Sequence, residues 1–204
     1  MKKLLILSLS AACALTSCSK KEDQAQEAAE QMAKSMEQMG QTMQAQGQNG
    51  QATANKAPGV AIPAKTLVTF LPTISGYEKN GDAEYMDMDM QGTKYSHASQ
   101  RYTSGDKSLT VSIFDYNYIA GLTAGFGMLM NMNMETNTEI TRGEKISGNP
   151  GWFNWHKNSN EGTIGVTVGD RVWVTIDGNG GVTDAELHSI AESINYSGIA
   201  GEVK

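Results

Sequence analysis

One stretch near the C-terminus constrains the fold more than any other. Ile164, Val166 and Val168 alternate with Thr163, Gly165 and Thr167. Gly169-Asp170 follows, and Val172, Val174 and Ile176 then alternate with Trp173 and Thr175. A period of two over two adjoining runs is the signature of half-buried strands, and a Gly-Asp pair between them predicts a hairpin with a type II′ turn. A chain with such a hairpin must bury one sheet face against something, so the rest of the sequence must supply the cover.

Further strands are expected around it. Ser108 to Ile113 alternates with Leu109, Val111 and Ile113 on one side. Tyr77–Lys79 and Ala83–Met90 flank Asn80-Gly81, a strong hairpin-turn signal, and Thr93–Thr103, Thr138–Ile146 and Trp152–Lys157 are also strand-like. Two segments change period. Tyr118–Asn133 places Ile119, Leu122, Phe126 and Leu129 on one helical face. Near the end, Thr183 and Glu186 form a capping box ahead of the stripe Leu187, Ile190, Ala191 and Ile194. Lys65–Leu71 reads as a short helix or an extended lead-in stopped by Pro72. The expected class is α+β: an antiparallel sheet with two packed helices. The order strands, helix, strands, helix resembles the Mog1/PsbP-like family, which implies an α/β/α sandwich; element order alone carries that resemblance.

The N-terminus predicts an address. Met1-Lys2-Lys3 is a basic start, and Leu4 to Leu15 is an apolar run too short to span a bilayer. Leu15-Thr16-Ser17-Cys18 resembles the lipobox of bacterial lipoproteins: an aliphatic residue, two small ones, then cysteine. The resemblance implies a signal peptide over 1–17, removed before Cys18, and lipidation of Cys18 with diacylglyceryl and a further fatty acyl chain. Several chains anchor durably where one does not. Ser19 is not the Asp that retains enteric lipoproteins in the inner membrane, and Ser19-Lys20-Lys21-Glu22-Asp23 resembles a surface-export tag. The implied location is the outer membrane, surface-exposed or facing the periplasm.

With Cys13 in the leader and Cys18 lipidated, the chain's two cysteines are both used. The mature chain then has no thiol for a disulfide, a zinc-thiolate site or a nucleophile. Loss of Lys2 and Lys3 leaves two fewer than the 16 basic residues of the whole chain against 22 acidic ones, a formal charge of about −8. That balance argues against a nucleic-acid partner, which needs a basic footprint.

Residues 18–57 have the composition of a tether. Ala25, Ala29, Met32, Met36, Met39 and Met43 step by four and three, a weak helical stripe; Gln44–Ala57, rich in Gly, Gln and Asn, reads as disordered. A single domain over 58–204, about 147 residues, is large enough for one core.

Chemical motifs are few. Asp177, Asn179, Gly180, Val182 and Glu186 match the later part of an EF-hand calcium loop in spacing. Thr175 stands where that family has its first Asp, and a strand precedes the loop where a helix is expected. A glycine-rich strand-to-helix turn with a capping box explains the same residues. Among the 12 methionines, Met86, Met88 and Met90 alternate with Asp87 and Asp89, and Met128, Met130, Met132 and Met134 also alternate. Thioethers suit Cu(I), but Met also fills cores, and on a strand Met86, Met88 and Met90 would point inward with the two Asp outward. Trp152 and Trp155 lie near His156, and Trp173 would share a strand face with Arg171 and Thr175, an arrangement open to sugar stacking or to core packing. His97, His156 and His188 fall in three separate elements, and a hydrolase would need one of them paired with a carboxylate in a cleft. No nucleophile elbow, phosphate loop or dinucleotide fingerprint is present. The expectation is a lipid-anchored envelope lipoprotein that is not an enzyme, needs no cofactor and binds an envelope protein partner. The alternative is a metal-binding module for calcium (Asp177, Asn179, Glu186) or copper (the Met clusters).

Overall fold

The computed structural model describes residues 59–90, 93–117 and 127–203. The expected signal peptide, lipobox and tether lie outside them, as do residues 118–126 of the expected helix. The described residues form a mostly-sheet α+β fold of nine antiparallel strands and a few short helices. Among them, no helix is long and apolar enough to cross a membrane.

In chain order the elements are α1 (Ala64–Val68), β1 (Glu78–Lys79), β2 (Glu84–Met90), β3 (Thr93–Ser104), β4 (Lys107–Asp115), β5 (Asn133–Glu135), β6 (Glu139–Ile146), β7 (Asn149–His156), β8 (Glu161–Val168), β9 (Val172–Asn179), α2 (Asp184–Glu192) and α3 (Tyr196–Glu202). They pair as β1-β3-β4-β9-β8-β7-β6-β5, with β2 also on β3. The long connection between β4 and β5 lets β9 return beside β4, and this one non-local pairing joins the two halves of the sheet.

Register separates two faces. Ala98, Val111, Ile176, Ile164 and Phe153 lie in one row across β3, β4, β9, β8 and β7 apart from a two-residue offset at β3, and all are fully buried. Leu67 of α1, Leu187 and Ile190 of α2 and Ile199 of α3 belong to the same buried cluster. The cover sits close because glycines make room. A Cβ on Gly178 or Gly162 would come within 2.8 or 2.9 Å of the Leu187 side chain. The second face carries His97, Phe114, Trp173 and Trp152 amid Ser and Thr residues. Gly165 lies beneath the rings of Trp152 and Trp173, where a Cβ would clash with both.

Several expectations are corrected. Asn80-Gly81 does not turn a hairpin: β1 and β2 both pair with β3 and run in the same direction, so the dipeptide makes a jog in a single edge. Gln100 fills the gap there, donating to the carbonyls of Gly81 and Arg101 at 3.2 and 2.9 Å. The β8–β9 hairpin is present, but Gly169 and Asp170 both have positive φ, 59° and 56°, which is type I′ backbone rather than II′. The expected helix ends early: residues 127–129 are helical, and Asn133 opens β5. The C-terminal helix begins at its capping box, with Thr183 and Glu186 bonded reciprocally, and Asn195 caps the additional helix α3.

Candidate functional site

Three polar constellations stand out among the described residues. The first joins the lead-in segment Gly59–Ile62 to the end of the sheet. Asp115 closes β4 in phase with Leu109, Val111 and Ile113, so its side chain enters the buried face. Arg171 sits between Val168 and Val172, which pair directly, so it is left out of the ladder and turns inward. The two are fully buried and form a bidentate pair, Nε to Oδ1 at 2.7 Å and Nη2 to Oδ2 at 2.6 Å. The remaining capacity goes to the lead-in. The Ile62 amide donates to Asp115 Oδ2 at 2.7 Å, and Arg171 Nη2 donates to the Val60 carbonyl at 2.7 Å. Ser96 Oγ donates to the Ile62 carbonyl, and Asn117 Nδ2 to those of Gly59 and Lys94. A buried ion pair is tolerable when its other lone pairs and protons are satisfied in this way. Arg171 therefore belongs to the core and does not share the face of Trp173 and Thr175, as the alternation implied.

The second lies at the edge of α2. His188 Nδ1 is 2.6 Å from Asp184 Oδ1, four residues earlier on the helix, and Nε2 is 2.9 Å from Glu144 Oε1 on β6. Arg142 holds the other Glu144 oxygen at 3.1 Å and lies over the Phe153 ring, which His188 also touches. The hydrogen bond to Glu144 lifts the His188 imidazole to about 9, against the downward pull of burial and with help from Asp184. Burial pushes the Glu144 carboxyl up, and the hydrogen bonds from His188 and Arg142 outweigh it, leaving it below its ordinary value. A histidine held as a cation between carboxylates is an electrostatic tie; a general base must be free to accept a proton near neutral pH.

The third is an open depression of about 330 Å³ lined by His156, Glu161, Thr163, Asp177 and Asn179. It contains two of the three weak calcium candidates but not Glu186. Asp177 Oδ1 accepts from Thr163 Oγ1 at 2.7 Å. Glu186 is engaged elsewhere: Oε1 receives Lys107 Nζ at 2.6 Å, and Oε2 receives the Thr183 amide and hydroxyl at 2.8 and 2.9 Å. Those bonds, led by Lys107, hold the Glu186 carboxyl below its ordinary value. Asp177, Asn179 and Glu186 are thus not brought together. Among the described residues no three His, Cys, Asp or Glu side chains are grouped to hold a metal.

The methionines are placed contrary to expectation. On β2 the residues facing the cover are Tyr85, Asp87 and Asp89, in register with Ala98, Ser96 and Lys94. Asp87 Oδ1 accepts the Ala64 amide at 2.8 Å, supplying a partner at the start of α1. Met86 and Met88 take the second face, where Met86 is 43% exposed and stands opposite His97. The inward reading failed because pairing to β3 sets the phase of β2, and an alternating Met-Asp strand fits either phase. His97 stacks on Phe114 at 4.3 Å, and Phe114 on Tyr116 at 4.9 Å. His156 lines the depression, and Trp155 packs at the margin of the core. Cys18 lies outside the described residues.

Sequence reasoning missed the Asp115–Arg171 pair. Its signal was a carboxylate at the fourth position of an aliphatic alternation, which demands a buried cation. The Asp184–His188 spacing was also readable on a helix, whereas Glu144 comes from a distant strand. No protein-family profile, curated protein or solved structure matches this chain.

Proposed function

We propose that this protein is a lipid-anchored envelope lipoprotein, held on the outer membrane through Cys18, whose sheet domain is a non-enzymatic binding module for an envelope protein. The anchoring half rests on Leu15-Thr16-Ser17-Cys18 behind a basic, apolar leader. One observation carries the binding half: β2 is a seven-residue strand bonded to β3 along one edge only among the described residues. Its Tyr85 is 51% and its Met86 43% exposed. Such an edge is a template for an extended partner segment, with backbone bonds for affinity and alternate side chains for selectivity. Glu84, Asp87 and Asp89 make the edge acidic, which disfavours a second copy of the same strand and favours a basic segment. The α/β/α layering belongs to the same proposal. It requires a helix from residues 118–126 on the second face, and strong amide protection in that stretch tests it.

The function is tested in cells by a photo-crosslinking residue at Tyr85, with exposed Lys145 as control position, in lipidated protein and in Cys18→Ser. The expected result is a discrete protein adduct from position 85 alone, with Cys18→Ser lost from the membrane fraction. Membrane retention of Cys18→Ser would remove the anchor. Equal labelling from both positions would remove the edge strand as the binding surface.

A further inference from the structure

Beyond partner binding, and independent of it, we infer that Met86, Met88 and His97 form a soft-metal site for Cu(I) on the second face of the sheet. Met86 and His97 are direct register partners, and Met88, two residues along β2, takes the same face diagonal to His97. Side chains directly opposite on an antiparallel pair start about 4.5–5.5 Å apart at Cβ, and diagonal ones about 7–8 Å between backbones. The three rotatable bonds of Met let both thioethers converge beside the imidazole from those positions. Two thioethers and one neutral imidazole are a donor set that selects Cu(I) over the hard cations, which want oxygen.

Three further observations support a ligand here rather than core packing. A methionine that filled the core would be covered, yet Met86 is 43% exposed, leaving an approach for the ion. His97 is held face-on by Phe114 at 4.3 Å, so ring orientation is set before metal arrives. Exposed acidic residues flank the methionines on β2, and their field favours an arriving cation.

The test is anaerobic titration of the full chain in detergent with Cu(I), supplied by a chromogenic Cu(I) chelator, and with Ag(I) as a redox-inert substitute. Met86→Leu/Met88→Leu is the comparison, which leaves the tether methionines in place. The expected result is one equivalent of Cu(I) held by the native chain and weakened at least tenfold in the variant, with the metal-free melting midpoint unchanged. Because the variant could misfold, the native protein labelled at its Met methyl carbons is titrated with Ag(I) in parallel. The Met86 and Met88 methyl signals and the His97 ring should shift together, saturating at one equivalent. Equal Cu(I) capacity and affinity in native and variant chains, or shifts confined to other methionines, would overturn the site.

Discussion

Asp115 stands where the alternation Leu109, Val111, Ile113 would place another aliphatic residue, and the fold accepts it because Arg171 arrives from the β8–β9 turn. Removing one partner leaves the other charge buried. Asp115→Ala is therefore expected to cost about 3–5 kcal/mol, seen as a lower denaturant midpoint. A combined Asp115→Leu/Arg171→Met should recover only part of that loss, because the Ile62 amide and Val60 carbonyl would still lack their partners. His188 gives a pH prediction. Its folded value, about 9, lies above the ordinary 6.5, so the folded state binds the proton more tightly. The stabilisation is complete below about pH 6.5 and lost as pH rises through 9. Melting midpoints should fall across that window in the native chain, with a shallower slope in His188→Gln.

At the scale of elements, α2 depends on its cap and on the glycines beneath it. Thr183 Oγ1 accepts from the Glu186 amide, and Glu186 returns the bond. Thr183→Ala should cost about 1 kcal/mol, measurable by thermal unfolding. Gly178→Ala is a sharper test of how closely the helix sits. The new methyl would meet Leu187 at 2.8 Å and Val182 at 3.1 Å, between a strand and a helix that hold each other. Overpacking of that kind typically costs about 1–3 kcal/mol, and the same change at exposed Gly201, where nothing stands within 4 Å, should be close to neutral.

For the molecule as a whole, β9 is the central strand: it pairs with β4 on one side and β8 on the other, and its inward residues Val172, Val174 and Ile176 are buried. β2 and β5 lie at opposite margins, and all three residues of β5 are exposed. Amide exchange should therefore rank β9, β4 and β8 as the slowest, opening only with global unfolding, and β5 with the outer amides of β2 as the fastest. Comparable protection at the margins and in β9 would contradict an open sheet with free edges.

What the sequence alone determined about this protein is local: the β8–β9 hairpin, the phase of β4, the capping box of α2 and the buried stripe behind it. Each rests on contacts between residues a few positions apart, where periodicity and cap chemistry act directly. Tertiary structure decided the rest. It turned Asn80-Gly81 into a jog because β3 offered one long edge to two short strands, and it turned the Met side of β2 outward because pairing with β3 sets the phase. It sent Glu186 to Lys107 and away from Asp177. It brought Asp115 to Arg171 across 56 residues and His188 to Glu144 across 44. Pairings at such separations are set by which strands lie side by side, and no local pattern encodes that order; it emerges only when one continuous core is closed beneath the whole sheet.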